Sequence, residues 1–154
     1  MNQIFNSTEK LRKPVLFQGG YHEDDRGFVY YNNSLDLTMV KRTYMIHPHS
    51  TSNIRAWQGH KIEQKWFQAI AGKFKIIVIQ PDNWDNPSEN LGWQEYDLSY
   101  IDNQVLYVPG GYATGLKSTE PESRLLVFSD LTLEESSLDN FRFDTKNWYN
   151  WGSK

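Results

Sequence analysis

The 154-residue sequence contains no cysteine. That excludes disulfides, thiolate nucleophiles, zinc ribbons and iron–sulfur clusters together, and it fits a reducing compartment. Long apolar runs are missing too: the longest is Ile76-Ile77-Val78-Ile79, far short of the roughly 18 residues of a spanning helix. Residues 1–14 lack the apolar stretch of a signal peptide, so the expectation is a soluble, cytoplasmic protein with no membrane partner. There is no excess of positive charge: 16 Lys and Arg stand against 19 Asp and Glu, for a net charge of -3, which argues against nucleic acid as a partner. No Gly-x-Ser-x-Gly nucleophile elbow occurs. Gly110-Gly111 lacks the spacing and the Lys-Ser/Thr ending of a phosphate loop.

What the chain does have is rings. Aromatic residues make up 15% of it while hydrophobic residues in total reach only 38%, so large rings supply much of the core. The surplus of Trp and Tyr, with their polar handles, suits a wet cleft where flat ligands stack. The length fits one domain spanning residues 1–154. Short β-branched and aromatic segments recur about every ten residues, which predicts an all-β sandwich or small barrel. Strands are expected at 14–18, 27–32, 39–47, 54–58, 64–71, 74–80, 94–98, 105–108, 112–117 and 124–129. Gly72-Lys73 fits a tight hairpin, Asp102-Asn103 a turn, and Pro109-Gly110-Gly111 a sharp strand end. The Asp-, Asn- and Pro-rich stretch 81–92 reads as a solvated loop, and 133–140 as the one short helix.

The densest polar cluster is Arg55, Gln58, His60, Lys61, Glu63, Gln64 and Lys65. In an extended chain Gln58 and His60 share a face, with Gly59 opposite. A histidine there is a candidate general base near neutral pH, since its free pKa lies near 6.5. A metal site would need His47, His49 and His60 to converge, but the strand offers Gln-x-His and the later strand Thr114 in place of a further histidine. Amide oxygen is a poor ligand for transition metals, so no metal is expected. Glu134-Glu135 reads as a solvated turn. In Asp24-Asp25-Arg26-Gly27 the turn aims an arginine that could hold a phosphate bidentately.

Four stretches in order, Asp25-Arg26-Gly27-Phe28, Val40-Lys41-Arg42-Thr43-Tyr44, Arg55-Ala56-Trp57-Gln58-Gly59-His60-Lys61 and Val108-Pro109-Gly110-Gly111-Tyr112, resemble the RmlC-like cupins that act on nucleotide-linked keto sugars. Two branches compete: the dTDP-4-dehydrorhamnose 3,5-epimerases and the sugar-nucleotide 3,4-ketoisomerases. The resemblance spans about residues 20–148 and implies a cupin, a double-stranded β-helix or jelly-roll barrel. It implies an isomerase acting on a nucleotide-linked 4-keto-6-deoxy sugar at C3, C5 or both, in deoxysugar and cell-surface polysaccharide biosynthesis. A 3,4-ketoisomerase or a non-catalytic sugar-binding cupin are the alternatives. No cofactor is required, and the family pattern implies a homodimer in which the strand within residues 1–19 is exchanged.

The resemblance also assigns roles. His60 would abstract the proton, Lys65 or Gln58 would donate to the enolate oxygen, and Tyr44 or Tyr112 would return a proton. Arg26 and Arg55 would hold the pyrophosphate while rings such as Trp57 stack on the base. Three departures fall in that one site. Gln58 stands where both branches carry a histidine, Leu125-Leu126-Val127-Phe128-Ser129 lacks the late-strand tyrosine, and Thr114 replaces another histidine.

Overall fold

The computed structural model describes residues 11–152. In chain order the elements are β1 (Val15–Phe17), β2 (Gly20–Asp24), β3 (Gly27–Tyr31), β4 (Arg42–Ile46), β5 (Arg55–His60), β6 (Lys65–Ala71), β7 (Lys73–Ile79), β8 (Trp93–Ser99), β9 (Val105–Val108), β10 (Tyr112–Ser118), β11 (Arg124–Ser129), α1 (Leu133–Ser137) and β12 (Phe141–Arg142). One sheet runs β1-β9-β6-β11-β4 and the other β12-β5-β10-β7-β8, with β2 and β3 forming a separate hairpin. Every pairing is antiparallel. This is the jelly roll the sequence led one to expect.

Alternation explains where the rings went. Phe67 and Ala69 of β6 project between the sheets with Phe74, Ile76 and Val78 of β7, Leu106 of β9 and Leu125 and Val127 of β11. Side chains one residue out of phase face outward and are covered by other segments. Trp57, Ile77, Ile79 and Ala113 lie under Phe143, Trp148, Tyr149 and Trp151 from the C-terminal stretch. Trp66, Val105 and Tyr107 lie under Leu11, Leu35, Leu37 and Val40. Much of the aromatic surplus is thus spent on two outer layers, so the ring expected to stack on a nucleobase, Trp57, is corrected to a layer residue: its indole is buried and donates to the Asn147 carbonyl at 3.1 Å.

Packing of that outer layer is tight at Gly115 of β10. A Cβ built there would lie 2.6 Å from Trp151 Cζ2 and 2.8 Å from Trp57 Cζ3. Gly115→Ala is expected to destabilise the protein by roughly 1–3 kcal/mol through overpacking. Urea unfolding measures this, and an unmoved midpoint would contradict it.

The expected strands all appear, 105–108 and 124–129 with the expected bounds and the others shifted by a residue or more at one end or both. Two others were not expected: β2, whose polar sequence reads as loop, and the two-residue β12. The turns at Asp102-Asn103 and Pro109-Gly110-Gly111 form, with Asn103 at φ 46° and Gly111 at 96°. Gly72, at φ 65°, turns the chain but closes no hairpin, because β6 and β7 belong to different sheets and the chain crosses between them there. The helix at 133–140 shortens to α1, N-capped by the Thr132 hydroxyl, which accepts from the Glu135 amide. Residues 1–10 of the expected exchanged strand lie outside the described residues; Val15–Phe17 pairs with β9 of the same chain. Among the described residues no helix is long and apolar enough to cross a membrane.

Candidate active site

A cleft of about 710 Å³ opens between the two sheets. One wall is Arg42 and Tyr44 from β4 with Lys65 and Phe67 from β6; the other is Arg55 and Gln58 from β5 with Thr114 from β10. Arg142 of β12, Asn140 and the α1 residues Leu133, Ser136 and Ser137 complete it. Register puts them there. Gln58 pairs with Thr114 on one side and Arg142 on the other. Arg55, three residues earlier, falls on the wrong face of a regular strand. An irregularity between Thr114 and Leu116 sets Arg55 opposite Leu116 and returns it to the cleft.

Behind the cleft floor lies Glu63, 1% exposed. Its carboxylate accepts from Arg42 Nη2 at 2.9 Å, Ser129 Oγ at 2.5 Å and Ser136 Oγ at 3.2 Å. His60 Nδ1 lies 2.9 Å from Glu63 Oε2 and 2.5 Å from the Asp139 carbonyl. Both are acceptors, so Nδ1 carries the proton. Lys65 Nζ lies 3.9 Å from Glu63 Oε2, beyond a hydrogen bond, and donates instead to Gln58 Oε1 at 3.2 Å. Gln58 Nε2 in turn donates to Asn140 Oδ1 at 3.2 Å.

The chain segment carrying Glu63 is held by one carboxylate. Asp139 accepts from the amides of Lys61, Ile62 and Glu63 at 2.8, 2.9 and 2.8 Å. Asp139→Ala is expected to cost about 3 kcal/mol or more, because three largely enclosed N–H groups lose their acceptor together. Thermal melting checks this; a melting point within a degree or so of the parent would contradict it.

Electrostatics follow from this crowding. Burial works to raise the Glu63 pKa, but the bonds from His60 and Ser129 and the nearby Lys65 charge outweigh it and bring it down to about 2. Burial draws Lys65 down to about 8, with the Arg42 and Arg142 charges adding to the effect and Glu63 and Asp139 opposing it. Tyr44 is pushed up to about 12, by burial first and by the Glu63 charge second, so its hydroxyl stays protonated at neutral pH. The Arg42 guanidinium stacks over the Tyr44 ring, 5.1 Å from its centre, and Lys65 Nζ lies 5.9 Å from it.

Of the residues singled out in the sequence, Tyr44, Arg55, Gln58, Lys65 and Thr114 come together in the cleft. His60 does not reach the wall. It is buried behind, tied to Glu63 and Asp139, with Nε2 unpartnered among the described residues. Tyr112 sits off the cleft with its hydroxyl donating toward the Arg12 carbonyl at 3.4 Å. Arg26 stands on the β2–β3 hairpin, 85% exposed at its side chain and bound to Asp24 at 2.6 Å. Tyr44 is the register partner of Val127. Paired residues share a face, so a tyrosine hydroxyl enters the cleft beside the position whose tyrosine is missing. Arg42, Glu63 and Arg142 escaped sequence reasoning as site residues. The available signals were Glu63 within the polar cluster and Arg42 within the stretch 40–44. His47 lies at the rim, 3.5 Å from Glu122, and among the described residues no three His, Asp or Glu gather as a metal-binding group.

No protein-family model and no curated protein matched the chain. Solved structures do match. A histidine-to-asparagine mutant of the 3,4-ketoisomerase QdtA from Thermoanaerobacterium thermosaccharolyticum, in complex with TDP-4-keto-6-deoxyglucose, is 19% identical over 87% of this chain and 90% of its own, with a TM-score of 0.65. The dTDP-4-dehydrorhamnose 3,5-epimerase from Bacillus anthracis, with TDP and PPi bound, is 20% identical over 92% and 86%, with a TM-score of 0.70. The Mycobacterium tuberculosis rmlC epimerase is 14% identical over 89% and 72%, with a TM-score of 0.71. Both branches suggested by the sequence motifs are represented among these structures, and what the likeness establishes is the fold: this chain is a jelly roll like theirs, with its cleft between the two sheets.

Proposed function

We propose that the protein is an isomerase acting on a nucleotide-linked 4-keto-6-deoxy sugar, moving a proton on the carbon next to the ketone at C3, C5 or both. The observation that carries this reading is the gathering in one cleft of Lys65, the protonated Tyr44 and three arginines, Arg42, Arg55 and Arg142. A proton beside a ketone is acidic only when the enolate is stabilised, so such a site needs a proton acceptor, a donor to the oxygen, a second proton donor and a clamp for the phosphates. Arg42 is engaged by Glu63, Ser136 and the Leu131 carbonyl. Arg55 and Arg142 are therefore the arginines for the pyrophosphate, taking the part first given to Arg26 within one chain. Tyr44 is the proton donor. Two of the matched structures carry TDP or a TDP-linked keto sugar, which supports a nucleotide sugar as the ligand.

The test is to incubate the protein with dTDP-, GDP- and CDP-linked 4-keto-6-deoxyhexoses in deuterated water. Loss of the C3 or C5 proton signal with at least one of them is expected, and the product separates an epimer from a 3-keto isomer. No exchange with any would overturn the reading. The buried position of His60 favours a second reading, a sugar-nucleotide-binding barrel without turnover, which predicts ligand binding and no exchange in the same tubes.

We also read the working form as a homodimer. The β2–β3 hairpin exposes an aromatic ladder, with Tyr21 and Phe28 rings 5.9 Å apart and Phe28 and Tyr30 stacked at 5.9 Å, an apolar surface suited to a partner. Light scattering on the eluting protein is expected to give twice the chain mass; a monomer at micromolar concentration would contradict this.

A further inference from the structure

The proposed isomerisation leaves open which group takes the proton, since glutamine stands at the usual histidine position and His60 is buried behind the wall. The cleft narrows the choice. Arginines do not give up their protons, and Gln58, Asn140, Thr114 and the serines cannot hold one at neutral pH. His47 is at the rim, exposed and beside Glu122. Lys65 remains, 4% exposed, with its Nζ hydrogen-bonded to the neutral oxygen of Gln58 rather than to a carboxylate.

We propose that Lys65 is the catalytic base, an uncharged amine that removes the proton next to the ketone and holds it as an ammonium. This rests on the isomerase reading given above.

The surroundings explain why a lysine would lose its proton there. Among the described residues Glu63 is the one carboxylate within 4 Å of Nζ, and its oxygens are already bound by Arg42, His60, Ser129 and Ser136. Asp139 is committed to three backbone amides. The charges that face Lys65 from the other elements are Arg42 on β4 and Arg142 on β12, both positive. Burial is the first cause that disfavours the ammonium, and the two guanidinium groups add to it, outweighing the Glu63 and Asp139 charges that oppose it. His60 is then a positioning residue. Its Nδ1–H fixes the Glu63 oxygen that lies nearest Lys65.

The proton step balances without a cofactor. The neutral amine takes the proton as the C–H bond breaks, and the electron pair forms the C=C bond of the enolate while the negative charge moves to the ketone oxygen. The second N–H of the Gln58 amide, the one not given to Asn140, is the donor for that oxygen. Return of the proton from Lys65 gives back the starting sugar. Delivery from the Tyr44 hydroxyl gives the epimer, with Lys65 then reprotonating Tyr44.

Exchange in deuterated water by the parent protein tests the isomerase reading, and Lys65 variants measured beside it test this inference. Lys65→Arg, which keeps a cation but cannot accept the proton, is expected to lower exchange at least a hundredfold while binding of dTDP by calorimetry stays within a few-fold. Because the chain has no cysteine, Lys65→Cys can be aminoethylated at that site alone. The modified protein is expected to regain exchange, with the rise in rate moved to lower pH, as a less basic amine requires. In the parent, exchange is expected to rise with pH through about 8. Exchange in Lys65→Arg within tenfold of the parent, or no shift of the pH profile after aminoethylation, would overturn the base assignment while leaving the isomerase reading standing. An inactive parent would remove both.

Discussion

Replacing Glu63 by glutamine is expected to lower stability by roughly 3–5 kcal/mol, the usual cost of removing one partner from a buried ion pair. For a protein of this length that corresponds to a fall in melting temperature of roughly 6–20 °C. The reason is the number of donors aimed at one carboxylate: Arg42 Nη2, His60 Nδ1 and the hydroxyls of Ser129 and Ser136. An amide of the same shape presents an NH2 group to donors that need an acceptor, and it leaves the Arg42 charge unpaired. The same carboxylate sets an acid dependence. Its pKa falls from 4.5 to about 2 on folding, so its contribution is complete above pH 4.5 and is lost as pH falls toward 2. Melting curves recorded between pH 6 and 2.5 are expected to show the parent losing stability faster than Glu63→Gln over that window. Parallel slopes would mean that Glu63 is not held as an anion.

Tyr44→Phe is expected to show the reverse pattern, a large loss of activity with little loss of stability. Removing a proton donor from a transition state lowers turnover by about 10²–10⁴. The ring, packed beside the core and under the Arg42 guanidinium, is kept. Melting temperature should therefore move by no more than about 2 °C. Turnover should fall with dTDP affinity unchanged, because the hydroxyl acts on the sugar and the arginines on the phosphates. Turnover within a few-fold of the parent would remove Tyr44 from the role of acid, and loss of binding would make it a contact of the nucleotide.

These two residues also mark how far the sequence carries. Tyr44 was legible as a candidate, yet only the β4–β11 register, which sets it opposite Val127, distinguishes it from Tyr112. Gln58 was legible because strand alternation places a side chain on a face without knowledge of the partner strand, and Arg55 and Lys65 because they fall in the densest polar cluster. Arg55 reaches the cleft only through the β5–β10 irregularity, which alternation does not show. Alternation also carried the prediction for His60 too far. β5 ends at that residue, and Asp139, brought from nearly eighty positions away, binds the amides that follow and draws the imidazole down to Glu63. Trp57, between Gln58 and Ala56, had to face outward by the same rule. Arg142 was illegible because its place depends on β12, a two-residue strand whose pairing with Gln58 leaves no periodic trace. β2 was missed for a related reason: Tyr21, His22 and Glu23 are exposed in the hairpin, so no buried face imprinted a pattern.

The departures from the two known branches look different once placed in space. Gln58 and Thr114, where histidines were expected, are direct register partners across β5 and β10. The position lacking a tyrosine is paired with one that has it. Within this cleft the missing groups are thus neighboured by Lys65, which donates to Gln58, and by Tyr44, which stands beside Val127. In the proposed mechanism these two, different from the familiar set, are the acceptor and the donor.

In the proposed function one cleft both holds a nucleotide-linked keto sugar and moves a proton on it. The most direct test is a proton NMR time course of dTDP-4-keto-6-deoxyglucose in deuterated water with the parent protein, run with and without excess dTDP. Loss of the C3 or C5 signal is expected, and dTDP should suppress it by occupying the cleft. Persistence of both signals in a sample where calorimetry shows the sugar nucleotide bound would contradict it and leave a binding barrel.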